Sequence, residues 1–330
     1  MNKGHQSYFH LPEDFTAPPM SKFVEILKQC SNLVHLTVDH AGPRLPPDQE
    51  YPAPETTIYL PKLRSLTVGS DNPENTAYLL AVLTYPKGVK LSIDCSDSTK
   101  REATFPFILP LMEHRPCINE IVEKSDAVVL SICNAEWTIA CGSRSYSSSQ
   151  SGAMLIKTHE LNRYDDRVVL DFFVEALLPI FGNVAITLLQ VNCGIYLGIE
   201  LWTELLSSFP KLKILWCDFG KAGSTRPDSD VILEALSRPS SQGAFPCLYL
   251  ESLQILYTNL CCNDPMSCLE ARDANNALRL KLLQYGDVFF TDDGSEDDDA
   301  EKRLTKDNLP DLSRFVDKFE VSTRERWLHG

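Results

Sequence analysis

The sequence has no long hydrophobic run, and this absence limits the kinds of protein to which the chain can belong. No apolar stretch approaches the roughly 18 residues that a membrane-spanning helix requires. Residues 1–15 lack the apolar centre of a signal peptide, and no Asn-x-Ser/Thr glycosylation site occurs. We therefore predict that the protein does not engage a membrane and that it is cytoplasmic or nuclear.

Clusters of lysine and arginine are also absent, although the chain is strongly charged. The formal net charge is -14, and eight acidic residues lie between Asp287 and Glu301, where no Lys or Arg occurs. Nucleic acids and anionic membranes are recognised by basic surfaces. The charge pattern therefore argues against nucleic acid as a partner.

Recognised catalytic and metal-binding motifs are missing too. The sequence has no Gly-x-Gly-x-x-Gly, Gly-x-x-x-x-Gly-Lys-Ser/Thr, Gly-x-Ser-x-Gly or His-Glu-x-x-His motif, and its seven histidines are scattered. Cys261, Cys262 and Cys268 lie close in sequence, but zinc sites prefer Cys-x-x-Cys pairs. We predict no catalytic residue, no metal and no cofactor.

The eleven cysteines are an odd number and are spread along the chain, mostly within apolar runs. This distribution is typical of small buried side chains in a reducing compartment, and not of a disulfide framework.

A short phrase, Leu-x-x-Leu-x-Val in its clearest form, recurs along the chain. Clear copies begin at Leu33, Leu63, Leu212 and Leu253, and weaker copies begin at Gly88, Ile118 and Leu188. Four of the intervals between first positions are 24 to 30 residues, close to the roughly 20 to 29 residues of a leucine-rich repeat. The phrase predicts one short strand per repeat, with its apolar side chains stacked on those of the next repeat.

Helical patterns separate these predicted strands. The candidate helices cover residues 77–83, 105–113, 168–178, 199–207, 228–236 and 266–285. Strands that alternate with crossover helices become parallel neighbours in one sheet. The predicted fold class is therefore α/β, an irregular leucine-rich-repeat solenoid whose curved, mostly parallel sheet is backed by helices.

One interval of 70 residues is too long for a single repeat. It contains three strand-like runs, at 127–133, 137–141 and 154–157, which predict a β-meander that is inserted in the sheet or continues it. We predict a repeat domain over 1–290 with this insertion at about 122–160. An acidic disordered linker is expected over 291–303, and a capping segment over 304–330.

Alternation along each strand predicts which side chains face away from the core. If Leu36 and Val38 point inward, their neighbours form an exposed face, and the same rule applies to every repeat. The predicted partner-binding residues are His35, Thr37, Asp39, Lys90, Asp94, Gln190, Asn192, Trp216, Asp218, Tyr257 and Asn259. Trp216 and Tyr257 lie on consecutive copies and predict an aromatic patch, unless an insertion or the C-terminal tail covers them.

The sequence resembles the leucine-rich portions of fungal F-box-like proteins, particularly those of mushroom-forming fungi. The resemblance rests on the Pro-Lys-Leu-x-x-Leu turns at Pro61 and Pro210 and on the Val-Val-Leu-Asp-Phe-Phe run at 168–173. It also rests on the acidic segment before Leu309-Pro310-Asp311-Leu312. In that family an F-box docks the adaptor of a cullin-RING (SCF-type) ubiquitin ligase, and the repeats select the substrate. The resemblance therefore implies a non-enzymatic protein-interaction module that recognises ligase substrates.

The F-box itself is not found in the sequence. Leu11-Pro12 is similar to the opening of an F-box, but Ala17-Pro18-Pro19 interrupts it and the first repeat begins at Leu33. We therefore expect the ligase adaptor to be a partner only if an F-box lies upstream. The alternatives are an interaction scaffold without a ligase, a relict without a partner, and an enzyme of hydrolase type whose site forms only in three dimensions, for example around His35, Asp39 and Asp94.

Overall fold

The computed structural model describes residues 18–38, 57–69, 73–86, 88–94, 121–133, 136–143, 154–159, 181, 184–193, 197–219, 229–241, 243–256, 265–288 and 311–323. Its largest element is a sheet of eleven strands, and a second sheet has two. The strands of the large sheet are β1 (His35–Val38), β3 (Ser65–Gly69), β5 (Lys90–Asp94), β6 (Ala127–Cys133), β7 (Glu136–Gly142), β8 (Met154–His159), β9 (Leu188–Cys193), β10 (Ile214–Asp218), β11 (Ser252–Leu256), β12 (Leu282–Val288) and β13 (Phe319–Thr323). The small sheet pairs β2 (Ile58–Tyr59) with β4 (Leu83–Thr84).

The strand order of the large sheet is β1-β3-β5-β8-β7-β6-β9-β10-β11-β12-β13, so the sheet is open, with β1 and β13 at its edges. All neighbouring strands are parallel except the two pairs that include β7. The predicted α/β class, with a large and mostly parallel sheet backed by helices, is confirmed at this level.

Strand β7 is the exception, because it runs antiparallel to both β6 and β8. Only residues 134 and 135 separate β6 from β7, and so short a connection can join antiparallel strands but not parallel ones. The three strands therefore enter the sheet in reverse chain order, with β8 against β5 and β6 against β9. They lie at the three runs from which the meander was predicted.

Two rows of apolar side chains cross the buried face of the large sheet. The strand register aligns the first row as Leu36, Leu66, Leu91, Met154, Cys141, Val128, Leu189, Leu215, Leu253, Leu283 and Phe319. The second row is Val38, Val68, Ile93, Ile156, Ile139, Leu130, Val191, Cys217, Ile255, Tyr285 and Val321. All are buried except the two on the edge strand β13, which are half-buried. Burial on one face fixes the register, since a slip of one residue would turn both rows to solvent.

Five helices have both ends within the described ranges: α1 (Met20–Gln29), α2 (Pro73–Val82), α3 (Ile199–Ser207), α4 (Ser229–Ser237) and α5 (Pro265–Ala274). Residues 121–123 and 181 are also helical. Helices α3, α4 and α5 pack side by side, and their buried side chains join the two apolar rows in one core. Trp202 of α3 is 1% exposed and packs edge-on against Phe219, with ring centroids 6.5 Å apart. No helix in the described ranges is long and apolar enough to cross a membrane.

The prediction that a repeat copy begins at Leu253 is wrong by three residues. Leu253 pairs with Leu215, which is the fourth residue of the copy that begins at Leu212. Leu253 is therefore also a fourth residue, and its copy begins at Leu250, which is completely buried. Leucines at 250, 253 and 256 allow two overlapping readings of the phrase. Burial of Ile255 decides between them, because its side chain has to share a face with Leu253.

The predicted helix over residues 266–285 is also too long. Helix α5 ends at Ala274, and Asn276 adopts a left-handed backbone conformation with a φ of 57°. Another copy of the phrase follows, Leu280-x-x-Leu283-x-Tyr285, and it leads into β12. Asn tolerates the left-handed conformation better than most residues and commonly terminates helices.

Other predictions meet the structure in part. The helices at 77–83, 199–207 and 228–236 correspond to α2, α3 and α4, whereas those at 105–113 and 168–178 lie outside the described residues. Ile121 lies in a helical turn, so the weak copy at Ile118 does not form a strand there. Helix α1 and strand β2 were not predicted.

The C-terminal predictions are described only in part. The acidic segment 291–303 and Trp327 lie outside the described residues. Leu312, Phe315 and Val316 of the capping segment are buried before β13.

Candidate functional site

The face of the large sheet opposite the helices, which we call the open face, carries the side chains that alternate with the two buried rows. Its central row is Thr37, Thr67, Ser92, Leu155, Ala140, Val129, Gln190, Trp216, Gln254, Gln284 and Glu320. Eleven strands spaced about 4.8 Å apart give this row a length on the order of 48 Å. Its shape is that of an extended surface and not of an enclosed pocket.

The described residues of the predicted site fall into three rows of this face. His35 and Lys90 lie in the row at the beginning of the strands. Thr37, Gln190 and Trp216 belong to the central row, and Asp94, Asn192 and Asp218 belong to the row near the ends of the strands. Asp39, Tyr257 and Asn259 lie outside the described residues.

The first strands present a polar surface. His35 and Ser65 are register partners on β1 and β3, and their Nδ1 and Oγ atoms are 2.7 Å apart in a hydrogen bond. Thr37 and Lys90 are exposed nearby, so this end of the open face carries hydroxyl, imidazole and ammonium groups.

The middle of the open face is apolar, a feature that was not recognised in the sequence. Leu155, Ala140 and Val129 are adjacent in the central row because β8, β7 and β6 are neighbours. Ala140 is only 3% exposed and lies between the larger residues Leu155 and Val129, which are half-buried. In the next row of this face the same three strands carry the polar residues Ser131, Thr138 and Lys157, so the apolar patch is one row wide.

The best-defined part of the open face surrounds Trp216. Its indole is 37% exposed, whereas Trp202 in the core is 1% exposed. Gln190 is its register partner on β9 and Gln254 is its partner on β11, so an amide side chain lies on each side. Gln190 Nε2 donates a hydrogen bond to Asn192 Oδ1 at 3.0 Å, which orients the first of these amides.

The predicted aromatic pairing of Trp216 with Tyr257 was based on the wrong start of the repeat copy at Leu253. In the register observed for β10 and β11, the residue beside Trp216 is Gln254. The next residue that aligns with Trp216 is Gln284 on β12, and the sequence prediction missed both. The copy at Leu280 was the signal that could have identified Gln284.

Of the residues considered for an enzyme, His35 and Asp94 are described, and the fold does not bring these two together. Asp94 lies two strands from His35 and four residues farther along the strand direction. Strand spacing and residue rise place their Cα atoms about 16 Å apart. This separation is too large for the two side chains to share one reacting atom.

Buried thiols beneath the open face are held protonated. Cys217 follows Trp216 and points into the core, where desolvation by burial raises its pKa well above the ordinary value, with smaller contributions from Cys193, Cys247 and Asp218. Burial likewise raises the pKa of Cys141 to about 11. A thiol in this state is a poor nucleophile and a poor metal ligand.

No group of three or more His, Cys, Asp and Glu side chains within the described ranges is arranged to hold a metal ion. The candidate site is therefore a broad surface of exposed indole, amide and hydroxyl groups with an apolar centre.

No protein-family model, curated protein or solved structure matches the chain.

Proposed function

We propose that the chain is a non-enzymatic protein-interaction module and that the open face around Trp216 contacts the partner. The observation that carries this proposal is one exposed tryptophan between two glutamines on an extended sheet face. Aromatic side chains at the centre of an interface contribute a large share of binding free energy, and neighbouring polar groups add hydrogen bonds and exclude water.

The chemistry of the neighbouring side chains fits a polypeptide partner. Primary amides can donate and accept a hydrogen bond at the same time, as the peptide group does. Gln190, Gln254 and Gln284 repeat this group across strands β9, β11 and β12. The apolar patch of Leu155, Ala140 and Val129 would take up an apolar segment of the same partner.

We further propose that the architecture is an irregular leucine-rich-repeat solenoid. In support, a buried leucine recurs three residues before the first inward residue of a strand, at Leu63, Leu212, Leu250 and Leu280. Each of these four strands is then followed by a segment that brings the chain back, so that the next strand begins at the same end of the sheet and runs parallel. Copies differ in length, which accounts for the irregular spacing in the sequence.

Substrate recognition for an SCF-type ubiquitin ligase is the specific form of this function that we propose. It rests on the resemblance of the sequence to fungal F-box-like proteins and requires an F-box upstream of the chain. Co-expression of an upstream-extended chain with the ligase adaptor tests it, because only the extended form should bind the adaptor.

The test of the interaction module itself is comparative affinity capture with quantitative mass spectrometry. The bait is the full chain, and the informative variant is Trp216→Ala. Tyr249→Ala is the matched control, because Tyr249 is also an exposed aromatic but lies in the turn before β11 and outside the open face. We expect specific proteins to be lost with Trp216→Ala and retained with Tyr249→Ala; equal capture by both variants would count against the proposal.

A further inference from the structure

A small pocket lies between helix α5 and the turn that precedes β13, away from the open face. Its volume is about 90 Å3. The described residues of its lining include three arginines, Arg272, Arg279 and Arg314, and one carboxylate, Asp273. A pocket of this size holds several water molecules or one small oxoanion.

Arg272 is a buried cation that forms no ion pair with any carboxylate among the described residues. Its side chain is 4% exposed, and Nη1 donates a hydrogen bond to the Cys247 carbonyl oxygen at 3.2 Å. Its Nη2 is buried and has no hydrogen-bond partner in the part of the chain that the structure describes. The neighbouring thiols of Cys247 and Cys268 supply no negative charge, because burial raises the pKa of each to about 12.

A charge in this position is costly unless an anion accompanies it. Buried guanidinium groups are normally paired with carboxylates or other anions, and a buried N–H without an acceptor carries a desolvation penalty. Orphan donors in otherwise well-packed proteins are accordingly places where a bound ion or water is expected.

The other two arginines differ in their freedom to bind a ligand. Arg279 is committed to the wall of the pocket, because its Nη2 donates to the carbonyls of Ser313 and Val316 at 2.5 and 3.2 Å and its Nε pairs with Asp317 at 2.9 Å. Arg314 is 76% exposed and lies 3.7 Å from Asp273, at the long end of an ion pair. Its guanidinium also lies over the Phe315 ring, with Cζ 5.1 Å from the ring centroid. Both contacts are weak at an exposed site, so Arg314 can turn toward an anion at a small cost in free energy.

We infer that this pocket binds a small oxoanion of the size and charge of phosphate. Arg272 supplies the uncompensated charge at its base, and Arg314 supplies donors at its mouth. Guanidinium groups form charge-assisted, often paired hydrogen bonds with phosphoryl oxygens. The pocket is separate from the open face. A negative result in the phosphate-binding test would therefore leave the proposed interaction function unaffected.

Isothermal titration of the full chain with inorganic phosphate at constant ionic strength tests this inference. We expect saturable binding of one phosphate per chain, about tenfold weaker in Arg314→Gln. Removing the repelling carboxylate with Asp273→Asn should strengthen binding about threefold. Both side chains are well exposed, so neither change is expected to disturb folding.

Lys318→Gln is the matched control, because it removes one exposed positive charge only three residues after Phe315 of the lining. Lys318 is outside the described lining and pairs with Glu320. Its phosphate affinity should equal that of the unmodified chain. A second readout is the melting temperature, which phosphate should raise more than chloride at equal ionic strength. Absence of saturable binding, or equal weakening in Arg314→Gln and Lys318→Gln, would overturn the inference.

Discussion

Trp216 of β10 lies directly beside Gln254 of β11 in a parallel register, on the face of the sheet opposite the core. Gln190 occupies the equivalent place on its other side. Trp216 thus has a glutamine as its register partner on each side, and the residue is 37% exposed. This arrangement offers an aromatic contact at a modest cost in conformational entropy, because a tryptophan side chain has only two rotatable bonds and stands on a paired strand.

The two tryptophans of this region should respond very differently to truncation. Trp216→Ala should cost about 1 kcal/mol or less of unfolding free energy, because much of the indole is already in contact with water. Trp202→Ala should cost about 3–5 kcal/mol, because it opens a cavity beside Phe219. Urea unfolding of both variants measures the difference. Equal losses would show that Trp216 serves the core and not a surface.

Adjacent residues of β11 provide a test of the strand register. Ile255 is completely buried and Gln254 is half-buried on the open face. Ile255→Asp should prevent folding, since it places an unpaired charge in the core, whereas Gln254→Asp should change the unfolding free energy by about 0.5 kcal/mol or less. Circular dichroism and urea titration distinguish the two. The opposite ranking would mean that the strand faces the other way.

The two-residue period of a strand explains which site residues could be predicted from the sequence. The copy assigned to Leu188 was displaced by two residues, because the structure pairs Leu189 with Leu215. An even displacement keeps every side chain on its face, so Gln190 and Asn192 were placed correctly. The copy assigned to Leu253 was displaced by three, and an odd displacement exchanges the faces. Gln254 was therefore missed.

The alternation of strands and helices could be predicted, because the spacing of apolar residues differs between a strand, with a period of two, and a helix, with a period of about 3.6. The order of the meander in the sheet could not, since pairing of β8 with β5 and of β6 with β9 depends on contacts between residues far apart in sequence. The apolar patch at Leu155 and Val129 was missed for the same reason. The buried charge of Arg272 also has no signature in a single sequence, because burial is decided by tertiary packing.

The end of helix α5 depends on one backbone conformation. Asn276 has a φ of 57°, a left-handed conformation that β-branched residues avoid. Asn276→Val should therefore cost about 1–2 kcal/mol, whereas Asn276→Gly should be nearly neutral or slightly stabilising. Thermal unfolding of the two variants checks this prediction. A Val variant as stable as the Gly variant would be inconsistent with the left-handed turn.

Buried thiols should make the protein sensitive to alkaline pH. Burial raises the pKa of Cys247 and of Cys268 from 9.0 to about 12, so the folded chain holds these protons more tightly than the unfolded chain does. Their contribution to stability is complete below pH 9 and is lost as the pH rises toward 12. The loss amounts to about 1.4 kcal/mol per pH unit for each thiol.

Urea unfolding at pH 8 and pH 10 measures this loss. Cys268→Ala removes one of the two thiols and should reduce the difference between the two pH values by about 1.4 kcal/mol. Lysine and tyrosine ionisation is common to both proteins and cancels in the comparison. An unchanged difference would show that Cys268 is accessible to hydroxide in the folded chain.

Site-specific photocrosslinking from the open face tests the central claim most directly. A photoreactive amino acid at position 254, beside Trp216, is compared with the same residue at position 270, which is exposed on helix α5 behind the sheet. We predict that a discrete protein is crosslinked from position 254, is not crosslinked from position 270, and is lost when Trp216→Ala is added. Equal crosslinking from both positions, or crosslinking from position 270 alone, would contradict the assignment of the open face as the interaction surface.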